Sequence, residues 1–114
     1  MRIPAVAALL LALAALPYAN SLDNGFVWDD HQQVVMNSAL RPDSPFRHLF
    51  QAKIWGSSRQ GIRQPTNYYR PLQMVAYRLT VDVFGFNPRA FHAVNLTFHM
   101  FAVLLAFALF RKLT

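Results

Sequence analysis

Two long apolar runs bracket this chain, and a mostly polar segment joins them. The first run extends from Ile3 to about Leu22 and reads IPAVAALLLALAALPYANSL, with Arg2 just ahead of it. Roughly 20 consecutive apolar residues suffice to cross the hydrocarbon core of a bilayer. A secretory signal is the alternative, because the most apolar part, Ala5 to Leu16, is short and Pro17-Tyr18-Ala19 resembles a weak cleavage site. An uncleaved first span is the favoured reading. The second run extends from Pro88 to Phe110. Asn87 suits its N-cap and Pro88 its first turn, and Arg111 and Lys112 follow it directly. Lysine and arginine collect on the cytoplasmic side of short membrane segments. Arg2 at one outer end and Arg111 and Lys112 at the other therefore predict a hairpin with both ends inside. A loop longer than about 60 residues is largely exempt from that bias, so the arginines of the intervening segment do not contradict it.

The predicted fold class is all-α membrane: a first transmembrane helix over 1–22, an external loop over 23–87, a second transmembrane helix over 88–110 and a cytoplasmic end over 111–114. The loop would face the periplasm from a bacterial inner membrane, or the lumen from an endoplasmic reticulum membrane. Within the loop, Ser44-Pro45 opens a helical pattern in which Phe46, Leu49, Phe50 and Ile54 share a face opposite Arg47, Gln51 and Lys53, ending at Trp55-Gly56. A polar linker with Arg59 and Arg63 runs from Gly56 to Asn67. Pro71 then starts a second pattern, Leu72, Val75, Ala76, Leu79, Val83 and Phe86, with Gln73, Tyr77 and Thr80 opposite and Gly85 at its end. Both read as amphipathic helices lying in the membrane interface; an ordinary packed helix is the alternative for the second.

The second apolar run carries a polar stripe. His92, Asn95 and His99 recur at i, i+3 and i+7, which is one helical face. Such a stripe faces protein rather than lipid, so this helix expects neighbours beyond the two predicted spans. The two histidines lie about 10 Å apart along the axis, too far to share one ion directly, which favours packing or lining over a metal site. Asn95-Leu96-Thr97 matches a glycosylation sequon but falls inside the span.

Composition sharpens the picture. Hydrophobic residues make up 54% of the 114 and charged residues only 14%, against about a quarter in soluble domains. Aromatics reach 14%, ten of them Phe, which suits interfacial contacts. Cysteine is absent, which excludes disulfides and cysteine-based zinc sites. The net charge of +6 suits a lipid-facing or phosphate-facing surface; no basic helix or RNA-binding aromatic motif points to nucleic acid.

Chemistry concentrates in Gly25-Phe26-Val27-Trp28-Asp29-Asp30-His31, a few residues past the first apolar run. Acids at a membrane surface are costly unless they act or pair. In an extended backbone, adjacent side chains point to opposite sides, so one acid can face a reaction centre while the other orients the loop. In a turned backbone both can approach one divalent cation. A carboxylate with no nucleophile or cofactor motif nearby suits proton acceptance from an attacking hydroxyl, hence group transfer to that hydroxyl. A turn or helix cap is the alternative reading of the pair. Arg70, ahead of the second loop helix, supplies a guanidinium for bidentate phosphate binding at headgroup depth. Asp29 and Asp30 are thus the candidate catalytic residues, and Arg70, Tyr69 and His31 the candidate substrate-binding residues. Arg59 and Arg63 read as solvated charges.

Asn24 to His31, Tyr69-Arg70-Pro71-Leu72, Phe91 to Leu96 and His99 occur in this order. Together they resemble the N-terminal region of GT-C class membrane glycosyltransferases, above all the transmembrane and tetratricopeptide-repeat O-mannosyltransferase-like proteins and their bacterial relatives. The resemblance runs from Leu22 to Arg111. It implies a first external loop whose acidic pair, here Asp29 and Asp30, contributes a catalytic base. It also implies a donor sugar on a polyprenyl or dolichyl phosphate, and a protein, lipid or glycan hydroxyl as acceptor. Members have many more spans, so the chain reads as a fragment of a larger multi-span bundle, inactive alone, whose partners are membrane lipid, the lipid-linked sugar and the remaining helices. A non-catalytic two-span subunit that docks through His92, Asn95 and His99 is the alternative, and a secreted module released by signal cleavage a third.

Overall fold

The computed structural model describes residues 2–51 and 69–114, and among these it holds helices and no strand. They fall into two compact units: the apolar segments, up to Asn24 and from Arg89 to Thr114, form one, and Gly25–Pro88 the other.

In the apolar unit, helix α1 (Ile3–Ala15) passes into a 3-10 helix over Leu16–Asp23. Pro17 explains the change. It has no amide proton to give to Leu13, and its ring would collide with that carbonyl, so the tighter i→i+3 pattern takes over. The combined stretch Ile3–Asp23 is 21 residues long with a mean hydropathy of 1.8 over its most apolar window. The long apolar helix Pro88–Leu113 has 26 residues and a mean hydropathy of 2.0, and about 39 Å of helix exceeds the roughly 30 Å hydrocarbon core. No side chain in either apolar window is buried within the protein. Leu13, Phe101, Leu105 and Leu109 stand outward, as helices whose solvent is lipid require. At the far end of the second helix the Arg111 guanidinium lies 5.9 Å from the Phe107 ring, so a cation borders the last apolar turn.

The second unit is built from short pieces. A π-helical turn covers His31–Val35, a 3-10 turn Ser38–Leu40, α2 His48–Gln51 and α3 Pro71–Phe84; the long helix Pro88–Leu113 is then α4. Of the first amphipathic pattern expected in the loop, only the part up to Gln51 is described. Ile54, the Trp55-Gly56 end and the linker with Arg59 and Arg63 lie outside the described residues. Leu49 is buried, while Phe46 and Phe50 meet ring to ring at 6.4 Å on the surface. Val34, Ala39, Leu40, Leu49, Met74 and Val81 form the core, with α3 lying against the 3-10 turn and α2.

Helix α3 starts and stops where its sequence predicts. Arg70 is its N-cap and Pro71 its first residue. Gly85 ends it with φ 71° and ψ −164°, and its N–H donates to the Val81 carbonyl at 2.8 Å. Those dihedrals lie in a region that essentially only glycine enters. A Cβ there would meet nothing within 4 Å, so a substitution costs backbone strain and no collision. Gly85→Ala is expected to lower the stability of this unit by about 1–3 kcal/mol, read as a fall in the denaturant midpoint with unchanged slope.

The buried side of α3 is the less apolar one. Met74, Arg78 and Val81 recur at i, i+4 and i+7 and are buried together with Thr80, whereas Leu72 is 82% and Val83 72% exposed. The reason lies in what α3 packs against. The segment 39–44 turns repeatedly and leaves carbonyls without helical partners, and Arg78 supplies the donors. Its guanidinium donates to the carbonyls of Pro42 and Ser44, each at 2.9 Å, and of Ala39 at 3.4 Å, while Nε donates to Asp82 at 2.9 Å. Asn37 does similar work nearby. Its Oδ1 accepts from the Ala39 N–H at 3.1 Å, and its Nδ2 donates to the Gln33 carbonyl at 2.9 Å and contacts Met74 Sδ at 3.5 Å. The regular apolar stripe of α3, Leu72, Leu79 and Val83, is left on the surface of its own unit.

Candidate functional site

The acidic pair sits on a turn, not on an extended strand. Trp28 has φ 47°, a left-handed conformation costing a non-glycine residue roughly 1–2 kcal/mol, and its side chain is 87% exposed. It launches a helical turn that begins with Asp29 and Asp30 and continues into the π-helical turn His31–Val35. That wider turn closes with the Met36 N–H on the His31 carbonyl at 2.8 Å.

Consecutive residues on a helical turn do not face each other, so the two carboxylates diverge. Asp30 turns back on the chain. Its Oδ2 accepts the Val27 N–H at 3.2 Å, while its own N–H donates to the Val27 carbonyl at 3.0 Å. This reciprocal clasp has the logic of a capping box. Asp29 is exposed and has no hydrogen bond or ion pair among the described residues. One acid of the pair holds the turn, and the other is presented with both oxygens available to accept a proton. Asp30→Ala is expected to loosen the turn by about 1 kcal/mol and to speed hydrogen exchange at the Val27 amide, with α3 unaffected.

The sequence offered the cap as one reading of the pair, and a carboxylate three residues after Val27 is its signal. The positive φ at Trp28 has no such signal, since glycine, asparagine and aspartate are the usual occupants. His31 is exposed at the start of the π-turn, Tyr69 is exposed just ahead of α3, and Arg70 is exposed as the N-cap of α3. All five candidates belong to the Gly25–Pro88 unit. Asp29 makes no hydrogen bond or ion pair to Arg70, Tyr69 or His31. No group of three His, Asp or Glu side chains gathers among the described residues.

A second polar cluster lies in the apolar unit. His92, Asn95, Leu96 and His99 of α4, with Tyr18 and Ser21 of the Leu16–Asp23 turn, line a cleft of about 270 Å³. The Tyr18 and His99 rings meet edge to face, 5.4 Å between centroids at 73°. The Ser21 hydroxyl donates to the Tyr18 carbonyl at 2.6 Å. The polar stripe of α4 thus meets the end of the first apolar segment.

The chain is 41% identical over 106 residues to Protein O-mannosyl-transferase TMTC1 of Mus musculus, an alignment that takes in 90% of this chain and 11% of that protein. The protein of the same name from Homo sapiens is 40% identical over 105 residues, 89% of this chain and 12% of its own length. Protein O-mannosyl-transferase TMTC3 of Mus musculus is 35% identical over 91 residues, 80% of this chain and 10% of its own length. The chain spans about a tenth of the length of these curated relatives. No family model and no solved structure matches it. The chain is homologous to a segment of the TMTC proteins, and with its two apolar helices it is an integral membrane protein.

Proposed function

We propose that this chain is the base-bearing segment of an O-mannosyltransferase-like glycosyltransferase, which moves a sugar from a polyprenyl-phosphate carrier to a hydroxyl acceptor on the external membrane face. The observation that carries the reading is the division of labour within the acidic pair: Asp30 is held on the Val27 amide, and Asp29 is exposed and unpaired among the described residues. In the reaction the acceptor oxygen attacks the anomeric carbon and its proton passes to Asp29. The bond from that carbon to the phosphate oxygen breaks, and its electron pair leaves with the phosphate. A carboxylate is a weak base, but the hydroxyl becomes acidic as its bond to carbon forms, so the transfer is favourable late in the step. Arg70, Tyr69 and His31 are the surface groups of the same unit that would hold the sugar phosphate, the guanidinium by paired hydrogen bonds to phosphate oxygens.

The exposed apolar surfaces support a placement at the membrane. Leu72, Leu79 and Val83 on α3 present an apolar stripe that lies in the interface, with Trp28 at headgroup level. The loop faces the periplasm, or the lumen in a eukaryotic cell, with Arg2, Arg111 and Lys112 on the cytoplasmic side. The test is transfer of labelled sugar from a polyprenyl-phosphate donor by membranes holding the longer protein, wild type against Asp29→Asn. Full transfer by both that variant and Asp30→Asn would leave the chain as a non-catalytic membrane subunit.

A further inference from the structure

We infer that the indole of Trp28 is the platform on which the ring of the transferred sugar stacks, beside the base. The inference rests on the reading above and deepens it, since that reading gives the phosphate to Arg70, Tyr69 and His31 and leaves the sugar ring unheld. Trp28 carries two unfavourable features at once. Among the described residues it is the only one other than glycine with a positive φ, at 47°. Its side chain is also 87% exposed, more than any other large apolar side chain among them. Glycine, asparagine or aspartate would ease the backbone, and a polar side chain would spare the water an apolar surface. The indole returns nothing to the fold, because it makes no hydrogen bond or ring contact among the described residues. Strained backbone persists where its surroundings hold it, and it gathers at ligand sites. Here the Val27 N–H donates to Asp30 Oδ2 at 3.2 Å, the Asp30 N–H to the Val27 carbonyl at 3.0 Å, and the His31 N–H to the Trp28 carbonyl at 3.2 Å.

These bonds leave Trp28 and Asp29 as the two central residues of one turn, both exposed. Successive Cα atoms are about 3.8 Å apart, so a group resting on the indole lies next to the base. A pyranose ring suits that place. Its carbon-bound hydrogens gather on its faces and its hydroxyls project from the rim. The face of the indole is the negative side of its quadrupole, which attracts those weakly positive hydrogens. Two apolar surfaces leave water when the rings stack, while the hydroxyls at the rim stay hydrated. The headgroup depth given to Trp28 above is also where the sugar of a lipid-linked donor lies. A membrane anchor needs an apolar side chain at that depth, but it does not need one set beside the base by a strained residue.

The test titrates membranes holding the longer protein with labelled polyprenyl-phosphate mannose and, separately, with polyprenyl phosphate that lacks the sugar. The ratio of the two affinities is read. Wild type is expected to bind the sugar-bearing carrier at least about tenfold more tightly, and Trp28→Leu to bring the two within about twofold. Trp28→Phe should keep most of the preference, because a smaller aromatic face remains. Trp28→Gly should lose it, while hydrogen exchange at the Leu40, Leu49 and Met74 amides of the full chain stays level or slows, since glycine accepts the positive φ. A wild type without preference overturns the platform. So does a Trp28→Leu variant whose two affinities move together and keep their ratio, which is the behaviour of a lipid anchor. Exchange that quickens more than tenfold in Trp28→Gly would assign the indole to the fold and overturn it as well. If Trp28→Leu keeps the preference while Asp29→Asn abolishes transfer, the platform fails and the base survives. If Trp28→Leu loses the preference while Asp29→Asn and Asp30→Asn both transfer fully, the base fails and the platform survives.

Discussion

Asp29→Asn is expected to cut sugar transfer by the longer protein about 10²- to 10⁴-fold, the usual contribution of a positioned general base. Asparagine keeps the shape of the side chain and loses only the capacity to take a proton. Membrane insertion and the turn itself should therefore be unchanged, since among the described residues the Asp29 carboxylate makes no hydrogen bond or ion pair that supports either. Asp30→Asn should behave differently. Its side-chain oxygen can still accept the Val27 N–H now bound at 3.2 Å, so transfer should fall by less than about tenfold. The pair of variants separates the two roles. Equal losses would show that both acids meet the substrate, and a larger loss at Asp30 would reverse the assignment. Transfer is read as label moved from a polyprenyl-phosphate donor, with protein levels in the membrane matched.

Arg78→Met should cost the Gly25–Pro88 unit about 3–5 kcal/mol, the range for removing one member of a buried charged network. Methionine matches much of the volume but donates nothing. The carbonyls of Ala39, Pro42 and Ser44 would then lose the guanidinium that holds them. Asp82 contributes less, because its side chain is 36% exposed and water can replace the lost partner. Arg78→Lys should recover only part of the loss, since one ammonium cannot reach several carbonyls in the geometry of a planar fork. Hydrogen exchange at the amides of Leu40, Leu49 and Met74 measures the effect: a loss of 3 kcal/mol corresponds to more than a hundredfold faster exchange where these amides open with the whole unit. Protection in the methionine variant within tenfold of wild type would show that the clamp is dispensable. The α1 and α4 amides serve as internal controls, because Arg78 bonds only within its own unit.

What could be read from the chain in advance depended on how local each property is. The ends of α3 were legible because Pro71 and Gly85 act on their own backbone. The polar stripe His92, Asn95 and His99 was legible as a face, since helical periodicity alone creates it. That Tyr18 and Ser21 would meet it was not, because that contact joins residues more than seventy positions apart. The acidic pair stood out by composition, but the difference between its members depends on the turn at Trp28, where a residue with no preference for positive φ adopts φ 47°. Arg78 drew no attention in the sequence. It sits between Tyr77 and Leu79 like any surface arginine, and only the open carbonyls of 39–44, more than thirty residues away, make it a buried clamp.

By itself the sequence determined two apolar helices long enough to cross a bilayer, the start and stop of α3, and a pair of acids a few residues past the first apolar segment. These are consequences of hydropathy, proline and glycine, which act within a turn or two of the chain. Tertiary structure decided which side of α3 is buried, which acid is held and which is presented, and that the stripe on α4 lines a cleft. The physical reason is that a buried carbonyl or amide must find a partner wherever one lies in space, and that partner need not be near in sequence.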